Sequence, residues 1–285
     1  MPSDLNERIA RALGRRPVSI DSLSGGCIGD VYRAIFDGGD SAVLKVDNGG
    51  SGQLDTEGFM LRYLSEETDL PVPKVLFEAP DLLIMEFVEH DGRRGADVEI
   101  EAADALAALH DIGASSYGFE RDTLIGGLEL PNPESKDWAA FFADHRLRDM
   151  GRRCVEAGRL EIAMYRRLNT LADDIDQFID DPQPPALIHG DVWGGNVLVD
   201  GGHLAAFIDP AIYFADPEVE LAFIGLFDTF GDRFYDRYDE RRQIADGFFE
   251  TRQALYNLFP LLVHVRLFGG SYVRSVQQTL RKLGY

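Results

Sequence analysis

The residues whose types and spacing best suit chemistry lie in one segment, His189-Gly190-Asp191-Val192-Trp193-Gly194-Gly195-Asn196. An aspartate followed five residues later by an asparagine places a carboxylate base beside a carbonyl oxygen that suits a hard cation. Asp209 ends the next predicted strand but one, so a hairpin returns the chain towards the same metal. Phosphoryl transfer needs a base for the attacking hydroxyl and oxygen ligands for Mg²⁺ on the phosphates. The pattern predicts an ATP-dependent phosphotransferase with Asp191 as base and with Asn196 and Asp209 as metal ligands.

The order of these residues, H-x-D-x-x-x-x-N followed by a later aspartate, is that of the kinases. The ordinary alternative is a polar turn in which Asp191 and Asn196 cap the backbone and Asp209 is unrelated. A chain with 31 aspartates makes that alternative plausible for any single residue. The joint pattern favours the catalytic interpretation.

Lys45 is the only lysine in the first 73 residues and lies on a predicted strand, Ser41–Val46. Glu57 lies on the helix predicted next, Leu54–Glu67. In kinases such a lysine holds the α- and β-phosphates, and the glutamate fixes it in place. The alternative is an exposed lysine on an edge strand with an unrelated glutamate.

A glycine-rich segment, 24–29, separates two predicted strands and contains Gly25, Gly26 and Cys27. Glycines let backbone N–H groups approach phosphate oxygens, so these residues are predicted to contact the nucleotide. The segment matches neither G-x-x-x-x-G-K-[ST] nor a full G-x-G-x-x-G, and an ordinary hairpin turn is the alternative.

An apolar strand, 82–88, leads towards the predicted connection between two lobes. Backbone groups of Glu86 and Val88 are placed to hydrogen-bond an adenine edge. The strand is also an ordinary buried strand, so this prediction depends on the kinase interpretation of the other segments.

The elements that must position these residues change in type along the chain. Periodicity and turn residues predict a helix over 1–16, strands over 18–23, 31–36, 41–46, 74–78 and 82–87, and a helix over 54–67. Beyond residue 89 they predict helices over 102–110, 138–158 and 160–179, short strands over 186–188, 197–199 and 205–208, and mostly helix over 217–283. The fold class is therefore α+β with two lobes: a small β-rich nucleotide-binding lobe, 1–88, and a larger, mostly helical catalytic and substrate lobe, 89–285.

Composition excludes several classes of function. The net charge of −21 argues against binding nucleic acid, and no apolar run is long enough to span a membrane. The first residues lack the apolar core of a secretory signal. Cys27 and Cys154 match no metal spacing, so two free thiols in the cytoplasm are expected. Four lysines against 24 arginines and 49 acidic residues indicate either a salt-rich cytoplasm or, for the excess of arginine over lysine, the composition of the genome. A stability maximum at low salt would contradict the first of these.

Taken together, these segments resemble the fructosamine kinase (ketosamine-3-kinase) family, in the aminoglycoside phosphotransferase-like branch of the protein-kinase-like fold. The resemblance covers about residues 20 to 275 and extends beyond the residues already named. The further matches are Ile208-Asp209-Pro210-Ala211, Tyr213, Glu220-Leu221-Ala222, Leu226-Phe227 and Phe268-Gly269-Gly270-Ser271-Tyr272.

The resemblance implies ATP-dependent phosphorylation of a sugar hydroxyl, the O3 of a ketoamine such as fructosamine or ribulosamine, which leads to deglycation of amines and proteins. It also implies that Trp193 lies where the family packs its sugar substrate. ATP, Mg²⁺ and a ketoamine are the expected partners, with a monomer or a dimer formed through oxidation of Cys27. Asp216, Glu218 and His264 are interpreted as structural residues, not as substrate contacts.

Two alternatives remain open. One is a kinase for another small molecule of the aminoglycoside, choline or homoserine type, which shares Asp191, Asn196 and Asp209. The other is a pseudokinase that acts as a binding scaffold. Retention of Lys45 and Glu57 together with these three residues argues against a scaffold.

Overall fold

The computed structural model describes residues 2–23, 30–49, 52–179 and 181–285. The chain divides into two compact units. One comprises Met1–Val98 with Val197–Pro210, and the other comprises Glu99–Asn196 with Ala211–Tyr285. The hairpin that follows Asn196 therefore groups with the first unit, while the division of the lobes near residue 88 stays a prediction.

The first unit is built on an antiparallel sheet. In its described residues five strands lie in the order β1-β2-β3-β5-β4. The elements are α1 (Pro2–Leu13), β1 (Pro17–Ser22), β2 (Asp30–Phe36), β3 (Ser41–Val46), α2 (Leu54–Glu67), β4 (Val75–Ala79) and β5 (Leu82–Glu86). These bounds lie within two residues of the predicted strands and match the predicted second helix.

Strand β3 shows why the sheet positions a lysine. Its side chains alternate between two faces, as the period of two in a strand requires. Ala42 and Leu44 pack into a core that includes Ile9 of α1. Val43 packs on the other face, against the cluster containing Leu61 of α2. Lys45 shares that second face by alternation, so its side chain is directed towards α2.

A hairpin completes the first unit. It consists of β9 (Val197–Asp200) and β10 (His203–Phe207). Phe207 N–H donates to Pro71 O at 2.8 Å, and Asp91 N–H donates to Val199 O at 3.0 Å. The hairpin is thus fixed to the segments on either side of β4 and β5.

The second unit is mostly helical. Its helices are α3 (Asp97–His110), α4 (Trp138–Phe141), α5 (Asp149–Glu156), α6 (Ile162–Asp173), α7 (Glu218–Leu226), α8 (Asp232–Arg241), α9 (Gln253–Tyr256), α10 (Leu258–Phe268) and α11 (Ser271–Lys282). Its strands are β6 (Thr123–Ile125), β7 (Leu128–Leu130), β8 (Ala186–Ile188) and β11 (Tyr213–Ala215). Strands β8 and β11 pair antiparallel, with Tyr213 opposite Ile188. None of the described helices is both long and apolar enough to cross a membrane.

Two sequence predictions need correction here. The helix predicted over 138–158 contains a π-helical stretch, Phe142–Arg148, between α4 and α5. Strand β11 and the small hairpin β6–β7 were not predicted. Trp138, Phe141 and Phe142, at the start of the stretch 138–158, are all fully buried.

Candidate active site

The side chains of Lys45, Glu57 and Asp209 form one cluster in the first unit. Lys45 Nζ lies 2.6 Å from Glu57 Oε1 and 2.6 Å from Asp209 Oδ1. Strand β3 supplies the lysine and the first turn of α2 supplies the glutamate. An ammonium group has three donors, so two are used within the cluster and one is left for an anionic ligand.

The charges of this cluster depend on each other. Burial alone would lower the pKa of Lys45, but the Glu57 and Asp209 carboxylates outweigh it and raise that pKa above its usual value. Burial raises the pKa of Glu57, and the Lys45 charge opposes that rise. Lys45 therefore stays cationic throughout the physiological pH range and suits a phosphate oxygen.

Asp209 has an unusual backbone conformation. Its φ is +56°, in the left-handed region that aspartate tolerates better than most residues. Asp209 Oδ1 accepts the bond from Lys45, which leaves Oδ2 for a cation. The side chain is 37% exposed, so a ligand has access to it.

The loop from His189 to Asn196 follows β8 in the second unit. Asn196 Nδ2 donates to Asp191 O and to Asp191 Oδ2, both at 2.9 Å. Both donors of the amide are then used, and its carbonyl oxygen Oδ1 remains for a metal. Asn196 N–H donates to Trp193 O at 2.8 Å, which closes the turn between them. The structure thus brings the predicted base and the predicted metal ligand into direct contact.

Gly190 allows this loop to pack tightly. Its φ is +85°, and a Cβ built there would lie 2.2 Å from Ala211 O. Ala211 N–H donates to His189 O at 2.7 Å. Only glycine combines that φ with that close approach of backbone.

A buried glutamate anchors the loop, and no role for it was predicted. Glu220 Oε1 accepts from Gly190 N–H at 2.6 Å, and Oε2 accepts from His189 N–H at 3.3 Å. His110 Nε2 lies 2.8 Å from the same Oε2. The sequence offered one signal: Glu220 is followed by six apolar or small residues in α7, and a charge buried in such a helix requires partners.

Trp193 presents its ring at the surface of the second unit. The side chain is 38% exposed, and a Cβ at Gly195 would lie 2.4 Å from the ring atom Cη2. The backbone of Gly195 therefore supports the indole ring. An exposed ring held in this way suits stacking against a small organic ligand.

The backbone groups of Glu86 and Val88, the predicted adenine contacts, differ in their hydrogen bonding. Glu86 N–H donates to Lys74 O at 2.8 Å, and the His90 ring donates to Val88 O at 2.8 Å. Among the described residues, no backbone acceptor is found for Val88 N–H, so this group is available to a ligand, and its contact with a base edge stays a prediction. The other predicted nucleotide contacts, Gly25, Gly26 and Cys27, lie outside the described residues.

Three residues interpreted as structural have structural partners. Both Glu218 oxygens accept from Arg252, at 2.5 and 2.7 Å. Asp216 is buried and accepts from Tyr256 O–H at 3.1 Å. His264 Nδ1–H donates to Pro260 O at 2.8 Å, and burial lowers the pKa of its ring.

The fold and these residues define the class of protein. Fold and topology are those of the protein-kinase-like phosphotransferases. A solved complex of an aminoglycoside phosphotransferase with streptomycin and ATP matches 99% of this chain and 96% of its own, with a TM-score of 0.68. Its identity is 14%, so it shows the shared fold alone.

The family follows from closer relatives. The fructosamine kinase family model matches residues 1–284. A Synechocystis protein assigned as a ketoamine kinase is 33% identical over 273 residues, covering 92% of this chain and 88% of its own. A solved Thermobifida fusca structure assigned as a fructosamine-3-kinase is 31% identical, with a TM-score of 0.88 over 98% of this chain and 97% of its own.

The chain belongs to the fructosamine kinase family, as the resemblance seen in the sequence predicted. It is a phosphotransferase that acts on a sugar hydroxyl of ketoamines. The predicted α+β kinase-like fold is likewise confirmed.

Proposed function

We propose that this protein uses ATP and Mg²⁺ to phosphorylate the O3 hydroxyl of ketoamines such as fructosamine and ribulosamine, with Asp191 as the base. The observation that carries this proposal is the bonding of Asn196. Its amide nitrogen holds the Asp191 carboxylate, while its carbonyl oxygen is left for a metal. The base and one metal ligand are thus oriented by each other.

In this mechanism Asp191 Oδ accepts the proton of the sugar hydroxyl, and the hydroxyl oxygen forms a bond to the γ-phosphorus while the bond from the γ-phosphorus to the β–γ bridging oxygen breaks and ADP leaves. The carboxylate is oriented by Asn196 and the loop backbone, so little reorganisation accompanies the transfer. Lys45 neutralises phosphate oxygens with its third N–H donor, and Glu57 keeps the lysine extended. Val88 N–H and the glycine-rich segment with Gly25, Gly26 and Cys27 are proposed to hold the nucleotide.

Asn196 Oδ1 and Asp209 Oδ2 are the proposed protein ligands of Mg²⁺. Both are hard oxygen donors, which is the chemistry that Mg²⁺ prefers. No cluster of three acidic, histidine or cysteine side chains able to hold a metal occurs among the described residues. One or two protein oxygens still fit, because Mg²⁺ in kinases takes its other ligands from phosphates and water. The bound ion supplies charge neutralisation on the β- and γ-phosphates.

Trp193 is the proposed support for the sugar. Its indole ring is exposed beside the loop that carries Asp191, and a ring face favours the C–H surface of a sugar. Phosphorylation at O3 makes the ketoamine unstable, so the expected consequence is deglycation of amines and protein lysines. We place the protein in the cytoplasm; Cys154 fits a reducing compartment as a free, buried thiol whose pKa burial raises to about 12.

The experiment that tests this function is a substrate panel. Purified protein with ATP and Mg²⁺ is offered fructose-lysine, ribulose-lysine, choline, homoserine and an aminoglycoside, and ADP release is measured. Turnover with the ketoamines alone supports the proposal. Turnover only with one of the other compounds would replace it, and the absence of both turnover and ATP binding would favour a scaffold.

A further inference from the structure

Three buried side chains form a chain of hydrogen bonds behind the catalytic loop. Tyr238 O–H lies 2.7 Å from His110 Nδ1, and His110 Nε2 lies 2.8 Å from Glu220 Oε2. Glu220 in turn accepts from the N–H groups of His189 and Gly190. The side chains of His110 and Glu220 are 0% exposed. The chain ends on the two peptide groups that directly precede Asp191.

An ionised carboxylate without solvent needs compensation. Burial by itself raises the pKa of Glu220, but the His110 hydrogen bond and charge are the largest opposing influence, and the net pKa lies below its usual value. Only the ionised form has both oxygens available as acceptors. A protonated Glu220 would turn one oxygen into a donor and lose a backbone partner.

The bonding also fixes the orientation of the histidine ring. Because Glu220 accepts, His110 Nε2 carries a hydrogen, and the other ring nitrogen, Nδ1, bonds the hydroxyl of Tyr238. Burial raises the pKa of Tyr238, so its hydroxyl keeps its proton and stays a partner for Nδ1. Tyr238 therefore holds the imidazole in the orientation that serves Glu220.

Other ionisable groups facing Glu220 do not replace His110. They are His189 after β8, Tyr213 on β11 and Tyr238 on α8. His189 contributes its charge to Glu220 more weakly than His110 does, and the tyrosines offer no cation. In the described chain no lysine or arginine pairs with Glu220.

We propose that His110, oriented by Tyr238, is a positioning residue for phosphoryl transfer. It keeps Glu220 ionised, so that both oxygens of that carboxylate hold the backbone immediately before Asp191. This inference rests on the proposed role of Asp191. It assigns to α3 and α8 a task in catalysis beyond packing.

The sign of the expected pH effect follows from the burial. In His110→Phe the strongest opposition to burial is gone, so the pKa of Glu220 rises; buried glutamates with pKa values of about 8–9 are known. The hydrogen bonds from the His189 and Gly190 N–H groups to Glu220 are then weakened as pH falls through that raised pKa, because Glu220 becomes protonated, and they are restored above it. The variant should show an acid limb in kcat, while KM for ATP changes little.

The experiment compares the parent protein with His110→Phe, His110→Gln and Tyr235→Phe. His110→Gln keeps an N–H donor for Glu220. Tyr235→Phe is the matched control on α8, since that hydroxyl bonds Leu221 O and takes no part in the Tyr238–His110–Glu220 bonds. We expect kcat of His110→Phe at about pH 6 to be roughly tenfold to a hundredfold below the parent and to recover most of the loss at about pH 9. The glutamine variant should be partly rescued, and Tyr235→Phe should keep the parent profile.

The second readout needs no turnover. The amide resonance of Gly190, measured by ¹H–¹⁵N NMR without substrate, should titrate with Glu220 in His110→Phe and stay constant in the parent. A variant whose kcat loss and Gly190 amide are both independent of pH would overturn the inference. If the parent turns over no ketoamine, the proposed function fails, and the Gly190 titration still decides this inference. If His110→Phe does not fold, His110→Gln, which loses the imidazole but keeps a donor, should still lose more kcat at about pH 6 than Tyr235→Phe does, and equal profiles for these two variants would overturn the inference.

Discussion

At the scale of single residues, each proposed catalytic group is held by neighbours that leave one functional atom available. Lys45 uses two of its donors to bind the carboxylates of Glu57 and Asp209, and Asp209 binds Lys45 through one oxygen. Asn196 donates both amide hydrogens to Asp191. Such groups are oriented before a ligand binds, which reduces the entropy lost on forming the reactive complex.

Replacing Lys45 by methionine should impair the use of ATP more than the binding of the ketoamine. The substitution removes the phosphate donor and leaves Glu57 and Asp209 without the ammonium between them. We expect kcat/KM for ATP to fall about 10²- to 10³-fold, in the range seen when one preorganised donor is removed. Steady-state kinetics with varied ATP measures this. Lys74→Met, at an exposed position, is the control; an equal loss in both variants would contradict the assignment.

Replacing Gly195 by alanine should weaken the binding of the ketoamine more than the binding of ATP. The new Cβ would lie 2.4 Å from Trp193 Cη2 and displace the indole ring from its support. We expect KM for the ketoamine to rise about fivefold, which corresponds to a lost aromatic contact of about 1 kcal/mol. KM for ATP serves as the internal reference. An unchanged ketoamine KM in both Gly195→Ala and Trp193→Ala would remove Trp193 from the substrate site.

At the scale of elements, α2 must lie close to the sheet for Glu57 to reach Lys45. Gly58, the next residue, permits that approach. A Cβ there would lie 2.6 Å from Glu78 Oε2 and 2.9 Å from Glu78 Cβ, and Glu78 is on β4. The second atom is fixed to the strand backbone, so the helix would have to move.

Gly58→Ala should therefore lower both stability and nucleotide use. Overpacking of this kind costs about 1–3 kcal/mol. We expect a lower urea midpoint together with a higher KM for ATP, because α2 carries Glu57 away from Lys45 when it shifts. Glu66→Ala, at an exposed position of the same helix, should change neither quantity. A Gly58→Ala protein with parental midpoint and KM would show that the helix has room to adjust.

Local sequence signals predicted the elements with strong periodicity and missed those made by distant pairing. Strands β3 and β5 alternate or run apolar for five or six residues, so their bounds were predictable. Strand β11 exists because Tyr213 pairs with Ile188, 25 positions earlier, which no local pattern reveals. The same reason explains why Asp191 and Asn196 were found from a motif while His110 and Glu220 were not. Their connection exists only in the folded chain.

At the scale of the whole molecule, the net charge of −21 must raise the free energy of the compact state. Helix α8 shows how the charge is distributed. Arg237 and Arg242 pair with Asp104 and Asp111, whereas the carboxylates of the described residues Asp232, Asp236 and Asp239 take part in no ion pair. Such like charges four residues apart on a helix repel each other.

Added salt should therefore stabilise the protein. Ions screen exposed charges over a Debye length of about 10 Å at 0.1 M and about 3 Å at 1 M. We expect Tm to rise by several degrees when the salt concentration is raised from about 0.1 M to about 1 M. A protein with Asp232→Asn, Asp236→Asn and Asp239→Asn should show a smaller rise. A Tm that is highest at low salt would contradict the hypothesis of a salt-adapted surface.

The central claim is that Asp191 is the base for ATP-dependent phosphorylation of a ketoamine. The most direct measurement is turnover of ribulose-lysine and fructose-lysine by the parent and by Asp191→Asn, with ³¹P NMR to identify a sugar 3-phosphate. We expect the parent to form the 3-phosphate and kcat of Asp191→Asn to be lower by about 10²- to 10⁴-fold, with KM for ATP nearly unchanged. Formation of the 3-phosphate by Asp191→Asn at the parental rate would contradict the claim.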